Sequence, residues 1–167
     1  MTPQQQTVTE KDIHLAHQER EHRTTLRVLR AFPAEKASFK PHPTSMTALE
    51  TAWMMVGMQL DLDGVMTDEL KMTGPPAPPR TWEDLIAAYE KAHAEFVRKL
   101  RSIGDEALNG TIRVPVAKDR VEAQRRGDVL WYFLLALIHH RGQLSVYLRA
   151  ADGKVPSIYG PSGDEAW

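Results

Sequence analysis

Cysteine is absent from the chain, which removes disulfides, thiolate zinc sites and cysteine nucleophiles together. That fits a reducing compartment, and the expected location is cytoplasmic. Long apolar runs are missing too. The longest, Val129 to Ile138, is about half of what a membrane span needs. The segment Met1 to Glu10 is polar, without the basic-then-apolar order of a signal peptide. Nor is there an excess of one charge: 26% of residues are charged, yet the formal net charge is −1, so no global field favours nucleic acid or an anionic membrane. Internal repeats and low-complexity tracts are also lacking.

What remains is a chain of 167 residues, enough for one domain, 1–167, that buries a core without staples. Proline and glycine divide it into four helical segments, at about 9–32, 47–63, 82–103 and 127–151. In the first, Leu15, Glu19, His22, Leu26 and Leu29 recur at spacings of four and three and are expected to share the inner face. Pro33 closes it, and a linker with Pro41 and Pro43 follows. Thr47-x-x-Glu50 has the capping-box spacing at the start of the second helix, for which Gly64 is the expected stop. A loop with Gly74, Pro75, Pro76, Pro78 and Pro79 leads to Thr81-x-x-Asp84, another N-cap. The third helix aligns Leu85, Tyr89, His93, Phe96, Leu100 and Ile103 and ends at Gly104. Between Asp105 and Arg126 the periodicity fails; Thr111 to Val116 reads as a short extended segment in which Pro115 opposes a central strand. The fourth helix ends before Gly153 and Pro156. Four amphipathic segments of this length predict an all-α four-helix bundle.

The end of the chain carries the strongest pattern. His139-His140-Arg141-Gly142-Gln143-Leu144 is followed by Tyr147-Leu148-Arg149, then Val155-Pro156, Ile158-Tyr159-Gly160-Pro161-Ser162 and Asp164-Glu165. This stretch resembles the last helix and tail of the DinB-like superfamily. Weaker resemblance covers Thr47 to Met58, with Ala52-Trp53, and the Thr81-Trp82-Glu83 helix start. The resemblance implies a four-helix bundle, often a homodimer, with a divalent metal (nickel, zinc or iron) held by three histidines. Some relatives are thiol transferases or isomerases that use bacillithiol or mycothiol. It also implies where the ligands belong. His140 matches the second histidine of the last helix, but the first falls on Ala136, and the ligand after the tryptophan of the second helix falls on Met54. Ala136 cannot coordinate, and a thioether suits soft ions rather than zinc or nickel. The expectation is therefore a metal-free bundle with a degenerate metal site, binding a small molecule or working through a dimer surface. The alternative is a metal-dependent thiol transferase or isomerase with a reduced or relocated histidine site.

His140 shares a helical face with Ala136, Gln143 and Tyr147, and is expected to point into a cavity lined by these residues and Met54. A hydrogen-bonded interior histidine and a ligand or acid–base group are both open readings. Arg141 and Gln143 suit either a substrate carboxylate or the organisation of the loop after the helix. Met46, Met54, Met55, Met58 and Met66 read as adaptable core. Glu19-x-x-His22 and Glu90-x-x-His93 repeat the unit that di-iron bundles use twice, but acidic ligands on the other two helices are wanting. His22, His93 and His140, on three helices, are candidates for a relocated metal site. His14 and His17 read as a solvated pair, and Tyr159 as a tail residue packed near the cavity mouth.

Overall fold

The computed structural model describes residues 8–71 and 76–166; the signal-peptide reading of the first ten residues and the Gly74-Pro75 part of the expected loop fall largely outside them. Four long helices form the body: α1 (Glu10–Ala31), α2 (Ala48–Leu60), α4 (Trp82–Ser102) and α5 (Arg126–Ala150), with the single turn α3 (Leu62–Val65) after α2. An antiparallel hairpin of β1 (Thr111–Ala117) and β2 (Arg120–Arg125) precedes α5, so the fold is mostly helical rather than purely so. Both α1 and α2 pack against α4 and α5, which places α1 and α2 at opposite corners. Among the described residues no helix is long and apolar enough to cross a membrane.

Local chemistry sets the helix starts. Thr9 and Asp12 form a capping box on α1, and Thr47 and Glu50 form one on α2. Thr81 caps α4 by accepting from the Asp84 N–H. The second helix does not run unbroken to residue 63, because Asp61 ends α2 before α3 begins. At the far end of α5, Asp152 takes the left-handed conformation (φ 63°), and Gly153 N–H donates to Leu148 C=O at 2.9 Å. Lys36, from the linker, donates to Ala151 C=O and Asp152 at 2.9 Å each, placing a cation at the negative helix end.

The region without periodicity holds a 3₁₀ segment (Asp105–Asn109) and the hairpin. Pro115 is tolerated because the sheet has only two strands, and the register slips between Pro115 and Ala117. Leu108 and Ile112, each 1% exposed, anchor this region in the core.

Two apolar clusters fill the bundle. One gathers Leu26, Leu29, Trp53, Met55, Trp82, Leu85 and Leu144; the other gathers Phe96, Leu100, Ile112, Leu130 and Phe133. The α4 face is the expected one, with Leu85, Tyr89, His93, Phe96 and Leu100 buried. The α1 face is not. Its inner row is His14, Gln18, Glu21, Thr25 and Val28, with Leu26 and Leu29 at its edge, while Leu15, Glu19 and His22 lie partly exposed beside it. His14, far from forming a solvated pair with His17, is 1% exposed. Polar residues hold these inner positions because other elements bring them partners: Gln59 on α2 donates to Gln18 Oε1 (3.4 Å), and Arg141 on α5 meets Glu21.

Candidate functional site

On the C-terminal half of α5 the fully buried positions are Leu137, Arg141, Leu144 and Leu148. One step around the helix, Ala136, His140, Gln143 and Tyr147 are half-buried, and Met54 is half-buried on the facing α2. Tyr147 leans its ring on Phe39 (6.1 Å, edge-on). His140 Nδ1 donates to Gln143 Oε1 at 3.0 Å, which leaves Nε2 as the open acceptor. Burial lowers the His140 pKa, against the Gln143 hydrogen bond that raises it. His139 lies edge-on at 5.4 Å and is exposed. The donors at these positions are one imidazole and one thioether, with a methyl group at Ala136, and they do not suit a zinc, nickel or iron ion. Among the described residues no group of three histidine, aspartate or glutamate side chains is placed to hold an ion, so His140 does not join His22 and His93 around one centre.

The innermost polar group of α5 is instead Arg141. Its guanidinium donates to Glu21 Oε2 at 2.6 Å and to Tyr159 Oη at 2.6 Å, and Tyr159 Oη donates to the same Glu21 oxygen at 2.6 Å. Arg141 and Glu21 are each 1% exposed. Burial alone would raise the Glu21 carboxyl, yet the hydrogen bonds from Tyr159 and Arg141 outweigh it and hold the group below its ordinary value. Arg141 therefore organises the segment after its helix, joining α1, α5 and the tail. Arg27 with Glu165, and Arg149 with Asp164, fasten the tail further.

A third group lies between α1 and α4. Glu19, His22, Glu90 and His93 line an open cleft of about 490 Å³ with Ala94, Val97, Arg98 and Arg101. The two Glu-x-x-His units thus face one another. The His22 and His93 rings stack at 3.7 Å and 6°, and Tyr89 backs His22 at 5.2 Å. His93 Nε2 stands 3.6 Å from Glu19 Oε2. Burial, then the neighbouring His93, Arg30 and Arg23, push His22 down to about 4. Burial also lowers His93, against the pull of Glu19.

Sequence reasoning named His22, His93, His140 and Arg141, passed over Glu21, Gln18 and Gln59, and placed His14 at the surface, where the structure buries it. The available signal was the spacing 14, 18, 21, 25, a second row on α1 whose members are all polar; an apolar search passes over such a row.

A family model described as the DinB family matches residues 5–166. Similar solved structures include a DinB-like protein from Bacillus cereus ATCC 10987, at 23% identity and a TM-score of 0.72, with 87% of this chain and 95% of that one covered. Another is a DinB-like protein from Bacillus subtilis, at 18% identity and 0.70, with 85% and 94% covered. No curated protein matches the chain significantly. The likeness to the two solved structures concerns the fold alone, whereas the family model spans nearly every residue: the chain belongs to the DinB family.

Proposed function

We propose that this DinB-family bundle works as a homodimer through the outer face of α5, without a metal centre at the position implied by Met54, Ala136 and His140. One observation carries the reading: α5 is apolar on both sides. Its inner side is the core row, and its outer side exposes Tyr132 (62%), Leu135 (62%) and Val146 (64%). With His139 and Gly142 these step by three and four along one stripe. A helix apolar all round is normally covered all round. Gly142, with no atom within 4 Å of where a Cβ would stand, leaves a low point at which a second α5 can cross. A two-fold pairing brings the stripe onto its own copy, and the stripe carries no carboxylate or lysine to repel itself.

Adjoining Tyr132, a pocket of about 240 Å³ between the hairpin and α5 is lined by Leu70, Val114, Pro115, Val116, Gln124, Val129 and Phe133. Its lining suits a small apolar molecule, the second part of the reading.

Light scattering on the purified chain should give twice the monomer mass, and Leu135→Arg should give the monomer with unchanged helical circular dichroism. A monomeric parent at tens of micromolar, or a Leu135→Arg variant that stays dimeric, defeats the proposal. The lost centre has its own check. Met54→His with Ala136→His should add one equivalent of nickel over the parent, lost again on His140→Ala. If the double variant gains no nickel, the positional matching is mistaken.

A further inference from the structure

The α1–α4 cleft is not used by the dimer reading, and its residues are unusual for a solvated groove. His93 is 6% exposed and lies on the cleft wall, with Nδ1 buried and unpartnered; His22 Nδ1 is likewise buried and unpartnered. In both rings the nitrogen left to act is therefore Nε2. That of His93 faces Glu19 at 3.6 Å, too long for a hydrogen bond. Two donors bound to one tetrahedral ion at about 2.0–2.1 Å stand roughly 3.4 Å apart, close to this separation.

We propose that this cleft binds one divalent transition ion of the zinc class, held by His22 Nε2, His93 Nε2 and the Glu19 carboxylate, with Glu90 as the fourth donor or the acceptor for a bound water. In the conformation seen, the two rings lie stacked and nearly parallel, and among the described residues no three donors meet at one point. Coordination requires the His22 ring to tilt out of the stack, Glu90 to release Arg30, which it holds at 2.7 Å, and Glu19 to share or release Arg101, 3.5 Å from its other oxygen. The carboxylate movements are at the open side: Glu19 is 40% exposed, Glu90 44%, Arg30 60% and Arg101 64%. The lining comes from α1 and α4 alone, so the carboxylates that a two-iron centre draws from the other helices are missing, and a single ion is the chemistry that fits.

The test uses the untagged full chain, stripped with a chelator and titrated with zinc and with cobalt(II). One equivalent should bind, raise the thermal midpoint and give the visible bands of four-coordinate cobalt. Glu19→Gln and His22→Gln, both at partly exposed positions, should each weaken binding by ~100-fold or more. His93→Gln should do the same, while His140→Ala should change nothing. Absence of stoichiometric binding overturns the proposal, as does binding that survives both Glu19→Gln and His22→Gln. Binding abolished by His140→Ala would overturn it too, and would place the ion at the family position. The dimer is read by mass alone, so the two proposals fail separately.

Discussion

Arg141→Met should destabilise the chain by about 3–5 kcal/mol, because it leaves the Glu21 carboxylate charged and unpaired in the interior. At this chain length that is roughly 10–15 °C in thermal midpoint. The geometry explains why the loss is large. Both partners are 1% exposed, and one Glu21 oxygen accepts from Arg141 and from Tyr159, each at 2.6 Å. Pairing Arg141→Met with Glu21→Leu should recover most of the loss, since a buried ion pair and an apolar pair of similar volume differ little in net stability. Tyr159→Phe, which removes one donor to the carboxylate, should cost about 1.5–3 kcal/mol. Urea unfolding of the four proteins decides the matter. An Arg141→Met chain within ~1 kcal/mol of the parent would show that the network contributes little.

Acid should also unfold this protein early, with His14 as one cause beside His22, which burial likewise pushes down to about 4. Its ring is 1% exposed, its Nδ1 has no partner, and its Nε2 lies 3.3 Å from the Gln18 amide nitrogen. Since Gln18 Oε1 accepts from Gln59, the Gln18 amide N–H faces the imidazole and requires Nε2 to be unprotonated. Burial pushes the His14 pKa down to about 4; Glu10 pulls it up and His17 pushes it further down. In the unfolded chain an imidazole titrates near the ordinary 6.5. Between those values the unfolded state holds a proton that the folded state refuses. Stability from this group is therefore complete above pH 6.5 and is lost as pH falls toward 4, at about 1.4 kcal/mol per pH unit and about 3 kcal/mol in all. Denaturation curves at pH 7, 5.5 and 4.5, taken with a chelator present, measure the slope. His14→Gln should flatten it by close to one proton, and an equal slope in that variant would remove His14 from the account.

The helix starts at Thr47 and Thr81 and the end of the last helix were legible because their causes are local, whereas the break at Asp61 was not. Thr47 with Glu50 and Thr81 with Asp84 cap from within one turn, and Gly153 follows the last helix. The α4 face was legible for the same kind of reason: Leu85, Tyr89, Phe96 and Leu100 put apolar surface at helical spacing whatever lies opposite. Of the hairpin, β1 was legible as the extended segment Thr111 to Val116, but β2 was not. β2 is Arg-Val-Glu-Ala-Gln-Arg, mostly exposed, with only Val121 and Ala123 to alternate, and it is a strand because β1 supplies its hydrogen bonds.

Four helical segments, their caps and the helix–tail pattern are therefore properties of the residues in order, since each depends on neighbours within a few positions. Which row of α1 turns inward is of another kind. It depends on Arg141, Gln59 and Tyr159 arriving from more than 40 positions away to make buried polar groups tolerable. The meeting of the two Glu-x-x-His units across one cleft is likewise a product of helix packing, which no spacing along the chain records.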